Sequence, residues 1–351
     1  MEKVEEIVVK IAGLDSDLLR RTQERLDNLT KPPGSLGRLE ELARMIVGMT
    51  GKANPSLDNK VIFTLAADHG AAEDGVSAYP REVTAQMVYN FLNGGAAINV
   101  LAKHAGARVV VVDLGVAVDL KPHPELMIKK INYGTKNMRQ GPAMSRGEAI
   151  KSIEAGKEIF QVAAEKGIDI AGTGDMGIGN TTASAALTAV FTGRAVEDVT
   201  GRGTGLEDQA LKNKVAFIAE AIGLNKPDKN DPLDVLAKLG GFEIGGLAGI
   251  ILAAASRRVP VVIDGFISGT AALLAYQLEP KVKDYLIASH CSVEKGHKII
   301  LDFIGLKPFL DLNLRLGEGT GAALGISLAE ASIKILTQMA TFAKAGVSTK
   351  K

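Results

Sequence analysis

Five short apolar runs in this chain each stop at a polar or glycine-bearing turn. Val61-Ile62-Phe63-Thr64-Leu65 leads into Asp68-His69-Gly70, and Val109-Val110-Val111-Val112 into Asp113-Leu114-Gly115. Ile168-Asp169-Ile170-Ala171 leads into Gly172-Thr173-Gly174-Asp175, Val261-Val262-Ile263 into Asp264-Gly265, and Tyr285-Leu286-Ile287-Ala288 into Ser289-His290. Runs this short read as strands rather than helices. Being largely apolar without alternation, they fit strands covered on both faces, which is the habit of a parallel sheet. Helical spacing fills the intervals at 82–103, 146–166, 181–192, 206–223, 243–257 and 268–277. The alternation predicts an α/β chain with a parallel sheet flanked by helices. Ligands of open α/β sheets bind beyond the carboxyl ends of the strands. The five polar strand ends therefore predict one shared rim.

Both chain ends read differently. Leu18, Leu19, Leu26 and Leu29 space helically, as do Leu36, Leu39, Leu42, Ile46 and Val47. Between the two sets, Lys31-Pro32-Pro33-Gly34-Ser35 reads as a turn with Ser35 as N-cap. From about residue 300 the pattern returns to helix and ends near Ala345. The expected division is a helical N-terminal part of a small domain (1–55), an α/β nucleotide-binding catalytic domain (56–300), and a helical C-terminal part of the small domain (301–351). The Thr349-Lys350-Lys351 tail is expected to fray.

The charge balance narrows the partners. With 41 basic and 40 acidic residues the net charge is +1, which argues against nucleic acid and anionic membranes. No apolar run is long enough to span a bilayer. The start, Met1-Glu2-Lys3-Val4-Glu5-Glu6, lacks a signal-peptide core. A single cysteine, Cys291, excludes an intramolecular disulfide. The expected compartment is the cytoplasm, where the sequons Asn28-Leu29-Thr30 and Asn180-Thr181-Thr182 would go unused. With 39 glycines and no tryptophan, a ligand site built from loops and backbone is expected rather than an aromatic cage.

Three glycine-rich segments carry the candidate chemistry. Gly317-Glu318-Gly319-Thr320-Gly321 costs ordering entropy and is followed at once by an apolar helix pattern. Glu318 either complements that helix's dipole or is a carboxylate presented for chemistry. Gly172 to Thr182 follows a strand and opens a helix, a geometry that suits an anion; a plain turn capped by Asn180 or Thr181 is the alternative. The same stretch holds Gly172-x-Gly174-x-x-Gly177 with Glu197 or Asp198 about twenty residues on, the dinucleotide fingerprint. Gly317-x-Gly319-x-x-Ala322 matches its looser form, so in this chain the pattern is weak. It leaves an NAD(P)-linked oxidoreductase and a non-catalytic nucleotide-binding regulator as competing classes. Gly201-Arg202-Gly203-Thr204-Gly205-Leu206 precedes the helix bearing Lys214, which suits phosphate or is a solvated lysine. Five histidines without H-x-x-H or C-x-x-C spacing give no reason to expect a metal. Cys291 is expected to be buried and inert, because sequence neighbours such as His290 seldom point the same way.

Taken in order, Lys31-Pro32-Pro33-Gly34-Ser35-Leu36-Gly37, Ala67-Asp68-His69-Gly70, Val83-Thr84-Ala85, Gly177-Ile178-Gly179-Asn180-Thr181-Thr182, Asp264-Gly265-Phe266, Ser289-His290-Cys291-Ser292-Val293-Glu294-Lys295-Gly296 and Arg315-Leu316-Gly317-Glu318-Gly319 closely resemble the nicotinate-nucleotide–dimethylbenzimidazole phosphoribosyltransferases of cobalamin synthesis. The resemblance runs from about residue 30 to 335. It implies a Rossmann-like parallel sheet with a smaller helical domain from the two chain ends, a homodimer, and no metal or cofactor. It implies transfer of the phosphoribosyl group of nicotinate mononucleotide to 5,6-dimethylbenzimidazole or a related base, with inversion at C1′, giving α-ribazole 5′-phosphate and nicotinate. By resemblance Glu318 is the general base, and Asp175 holds a catalytic position facing the incoming base. Tyr79, Gln86, Met87 and Leu316 would bind that base. Gly177, Asn180, Thr181, Thr182, Gly203, Lys214, Asp264 and Ser292 would surround the nucleotide. Family members often carry Glu where this chain has Asp175, one methylene shorter, so the base used by this chain stays open: another benzimidazole, a purine or a phenol.

Overall fold

The computed structural model describes residues 8–348; the opening Met1 to Glu6 segment and the Thr349-Lys350-Lys351 tail lie outside the described residues. Among the described residues the named elements run α1 (Ser16–Asp27) and α2 (Arg38–Thr50), then alternate: β1 (Lys60–Ala67), α3 (Val83–Leu92), α4 (Ala97–Ala105), β2 (Ala107–Gly115), β3 (Leu126–Ile128), α5 (Arg146–Ala164) and β4 (Ile170–Met176). The series continues through α6 (Asn180–Thr192), α7 (Val196–Val199), α8 (Asp208–Asn225), α9 (Pro232–Leu239), α10 (Phe242–Ser256), β5 (Val261–Ile263), α11 (Phe266–Leu278) and β6 (Leu286–Ala288). It ends with α12 (Lys295–Ile304), α13 (Thr320–Gln338) and α14 (Phe342–Ala345). Among the described residues no helix is long and apolar enough to cross a membrane.

The six strands form one sheet in the order β3-β2-β1-β4-β5-β6, every pair parallel. All of β1 is buried, as its unbroken apolar run requires. Strand order runs outward from β1 in both directions, so the chain reverses between β1 and β4. The strand ends diverge there, and a crevice opens at their carboxyl edge. The chain ends meet each other: Thr30 N–H donates to Ala340 O at 3.0 Å and Phe342 N–H to Asn28 O at 3.2 Å. Helix α13 packs on α2, on α4 and on the sheet.

Four details depart from the sequence expectation. The pattern over 82–103 is two helices, broken at Asn93-Gly94-Gly95, where Gly94 takes a φ of +75°. Strand β4 runs through Gly172, Thr173 and Gly174 to Met176 instead of stopping at Ala171. Those glycines sit inside a strand because α13 starts against them: a Cβ on Gly174 would collide with the Glu318 carbonyl oxygen. Ser35 is not an N-cap; α2 starts after Gly37, and the N–H of Leu36 is taken by the Glu40 carboxylate at 2.9 Å. Short β3 and the small helices α7 and α9 carry too little periodicity to read from sequence.

Candidate active site

Gly317, Glu318 and Gly319 have φ values of +86°, +64° and +99°. Glu318 is therefore a side-chain-bearing residue in the left-handed region, a conformation that persists only when its surroundings enforce it. Here they do. Thr64 Oγ1 donates to Glu318 O at 2.9 Å, and Glu318 N–H donates to Asp175 O at 3.2 Å. The Asp264 carboxylate, at the end of β5, accepts from Gly319 N–H at 3.0 Å, Gly321 N–H at 2.6 Å and Ala322 N–H at 3.2 Å. One side chain thus satisfies three N–H groups at the start of α13, groups that a helix leaves without internal partners.

The twist at Glu318 turns its carboxylate away from α13 and onto α4. Ile98 N–H donates to Glu318 Oε2 at 3.3 Å. The carboxylate does meet a helix N-terminus, but that of the helix created by the Asn93-Gly94-Gly95 break. Glu318 is 5% exposed. Burial raises its pKa above the ordinary carboxylate value, against the pull of the Ile98 N–H.

Asp175 closes β4 beside this loop. Its Oδ2 accepts from Asn180 Nδ2 at 2.9 Å, while its buried Oδ1 has no partner among the described residues. Burial pushes its pKa well above the usual range, reinforced by the like charges of Asp264 and Glu243 and opposed by Asn180. Asp264, buried beside the same carboxylates, is pushed up to about 7. Next to them His69 Nε2 and Glu243 Oε1 form a buried pair at 2.8 Å.

The N-terminal turn of α6 makes the other end of the site. Lys214 Nζ donates to Thr181 Oγ1 at 2.7 Å. That lysine is fully buried, and burial pulls its pKa down to about 8 even with Glu294 nearby to hold the charge. Glu294 Oε1 accepts from Gly203 N–H at 2.9 Å, and Arg315 donates to Gly203 O at 3.3 Å. A helix N-terminus with a threonine hydroxyl backed by a buried cation suits a phosphate monoester.

A cavity of about 470 Å³ joins the two ends. Glu318 and Asp175 line it, with Gly177, Asn180, Thr181, Gly203 and Ser292 toward the lysine and Tyr79, Met87 and Leu316 around the mouth. Tyr79 and Leu316 are 56% and 58% exposed, an apolar rim without a cover. Other sequence candidates do not line it. Gln86 is exposed on α3; Thr182 and Lys214 are buried behind Thr181; Asp264 holds the Glu318 loop. Two larger concavities, of about 650 and 770 Å³, reach neither Asp175 nor Glu318.

The expected shared rim is narrower than five strand ends. β4, β5 and β6 reach the cavity through Asp175, Gly265 and His290. β1 and β2 do not: Asp68 accepts from Ala117 N–H at 2.8 Å and His69 is paired with Glu243, while Asp113 is occupied by Val116 N–H at 2.8 Å and Lys130 Nζ at 2.9 Å. The Gly172-x-Gly174-x-x-Gly177 fingerprint fails as a dinucleotide loop, since its first two glycines are strand residues packed on their neighbours. Cys291 is half-buried rather than buried, with its thiol pKa raised by burial. Among the described residues no group of His, Cys, Asp or Glu is arranged to hold a metal ion. Glu294, Arg315 and Ile98 were not proposed as site residues from the sequence, and His290 was weighed only as a neighbour of Cys291. Glu294 and His290 lie in the motif from Ser289 to Gly296; Ile98 contributes only its backbone.

Known proteins are similar to this chain over nearly its whole length. A family signature described as phosphoribosyltransferase (DBI_PRT) matches residues 11–347. The nicotinate-nucleotide–dimethylbenzimidazole phosphoribosyltransferase of Roseiflexus sp. (strain RS-1) is 58% identical over 350 residues, covering 100% of this chain and 99% of its own. That of Desulforudis audaxviator (strain MP104C) is 56% identical over 351 residues, with 100% and 99% covered. The crystal structure of CobT from Thermus thermophilus superposes with a TM-score of 0.92 at 46% identity, covering 95% of this chain and 100% of that one. The chain belongs to the nicotinate-nucleotide–dimethylbenzimidazole phosphoribosyltransferase family.

Proposed function

We propose that this chain transfers the phosphoribosyl group of nicotinate mononucleotide to 5,6-dimethylbenzimidazole or a closely related base. The observation that carries this is the placement of a buried, pKa-raised carboxylate, Glu318, in the same cavity as Thr181, whose hydroxyl is held from behind by the buried Lys214 Nζ. The Thr181 end takes the 5′-phosphate and orients the ribose. A ring nitrogen of the base attacks C1′ as the bond from C1′ to the nicotinate nitrogen breaks. The bonding pair passes to that nitrogen, which loses its positive charge and needs no acid. The attacking ring becomes cationic and gives its N–H proton to Glu318. Attack opposite the leaving group inverts the β-nucleotide to an α-ribazole 5′-phosphate.

General-base assistance of this kind is worth about 10²–10⁴-fold, and alignment of two bound reactants supplies much of the rest. Desolvation makes Glu318 a better proton acceptor than an exposed glutamate. Asp175 stands where the incoming base would meet it, and its short side chain bears on which base fits. The chain acts as a homodimer in the cytoplasm on this reading, supported by the family resemblance.

The test is incubation of the protein with nicotinate mononucleotide and dimethylbenzimidazole, with chromatography of nicotinate and the ribazole phosphate. Equal amounts of both products are expected, with an α-anomeric coupling in the NMR spectrum. No nicotinate release with dimethylbenzimidazole, other benzimidazoles, a purine or a phenol would overturn the proposal.

A further inference from the structure

His290 follows β6 and lines the cavity, and the reaction above leaves it without a role. It is 2% exposed. Its protonation pattern follows from its neighbour. Ser289 Oγ lies 2.6 Å from Ile263 O and 3.3 Å from Asp264 O. Carbonyl oxygens only accept, so the single hydroxyl hydrogen of Ser289 is committed to them. The same Oγ lies 3.1 Å from His290 Nδ1. With no second hydrogen to give, Ser289 can only accept there, so Nδ1 carries the ring proton. A negative group on that side agrees: a Cβ on Gly321 would collide with both His290 Nδ1 and Asp264 Oδ1. A neutral imidazole has one N–H, and burial holds this ring neutral by lowering its pKa. Nε2 is then a lone-pair acceptor, and among the described residues nothing donates to it.

An acceptor in a substrate cavity calls for a donor on the substrate. The phosphate and the nicotinate carboxylate offer acceptors. The N–H of the incoming base is taken by Glu318. The ribose hydroxyls remain. We infer that His290 is a substrate-contact residue whose Nε2 accepts a hydrogen bond from the 2′- or 3′-hydroxyl of the nucleotide's ribose. The inference rests on nicotinate mononucleotide being the donor substrate.

The experiment compares wild type, His290→Ala and His290→Asn on nicotinate mononucleotide and on its 2′-deoxy and 3′-deoxy analogues. His290→Ala is expected to lose about tenfold in kcat/KM on the parent nucleotide, the worth of one buried hydrogen bond. On one of the two deoxy analogues, which lacks the donor, wild type and variant should agree within about twofold. His290→Asn, which keeps an acceptor oxygen, should recover part of the loss. Equal losses on all three substrates would make His290 a packing residue and overturn the inference. Absence of nicotinate release by wild type would instead overturn the reaction on which it rests. Histidine ¹⁵N NMR on the wild-type protein checks the tautomer without any variant. A protonated Nδ1 and bare Nε2 are expected, and the reverse would sink the assignment.

Discussion

Ile98 donates its backbone N–H to the Glu318 carboxylate across 3.3 Å, from the second residue of α4. The contact favours the ionised form, whereas burial favours the protonated form, and burial prevails. A carboxylate set this way is a stronger proton acceptor than an exposed glutamate. The break at Asn93-Gly94-Gly95 makes the contact possible, since a continuous helix would have no free N–H at Ile98.

Glu318→Gln removes the proton acceptor and keeps the shape. Steady-state kinetics should show kcat down by about 10²–10⁴-fold, with nicotinate mononucleotide binding little changed by calorimetry. Glu318 works deprotonated and its pKa is raised, so wild-type kcat/KM should fall on the acid side above the ordinary carboxylate range. The residual rate of the variant should lack that limb. A variant with near-wild-type kcat would remove Glu318 from the chemistry.

Lys214, pulled down to about 8 by burial, links nucleotide affinity to pH. A phosphate binds the ammonium form, and that form is lost as pH rises through about 8. Titration calorimetry should show binding of nicotinate mononucleotide weakening between pH 7 and 9.5. Lys214→Met should bind weakly at every pH with no such slope. An equal slope in the variant would place the titrating group elsewhere.

Asp264→Asn tests the clasp on the Glu318 loop. The amide offers one acceptor where the carboxylate offers two, and its NH₂ would face at least one of the three N–H groups now bonded. Leaving buried N–H groups unpaired costs about 1–3 kcal/mol. Urea unfolding should register that loss, and kcat should fall at least about tenfold if loop position sets the base. The KM for the nucleotide should change little, because the phosphate end is built from other strands. A stability loss without a kcat loss would limit Asp264 to a structural role.

Asp175 ties stability to pH. Its folded-state pKa is raised, so the fold binds that proton more tightly than the unfolded chain does. The stabilisation is full below the unfolded carboxylate pKa and is lost as pH rises through the folded value. Asp175→Asn mimics the neutral form at all pH. Wild-type stability relative to the variant should therefore decrease from about pH 4 upward, measured by urea unfolding across pH. A constant difference would mean that Asp175 ionises normally.

The sheet was legible because buried parallel strands need apolar runs, and Val61–Leu65, Val109–Val112 and Val261–Ile263 are such runs. The α3–α4 break was hidden because Val88, Phe91, Ile98 and Ala102 keep helical spacing across it; the two glycines were the better signal. β4 was cut short because Gly172 and Gly174 read as turn residues, while the close approach of α13 is what demands them. Glu318 and Lys214 were candidates in the sequence, each beside a plain alternative, a helix-dipole partner and a solvated lysine; their burial is a fact of the fold. Ile98 could not be a candidate, since it acts through a backbone group that every residue has. Asp264 stood out as a strand-end carboxylate, but that its partners are loop amides of α13 is a fact of tertiary packing.

The partners that seat Glu318 are far apart along the chain: Thr64 is 254 residues away and Ile98 is 220. Long-range closures of this kind are slow compared with local helix formation. The turn that opens α6 follows directly on its own strand, whereas the Glu318 carboxylate is seated when the last part of the chain docks onto the first. If Glu318 is the base, catalytic competence is a late event of folding. On refolding from denaturant, activity is expected to return after helical signal has recovered.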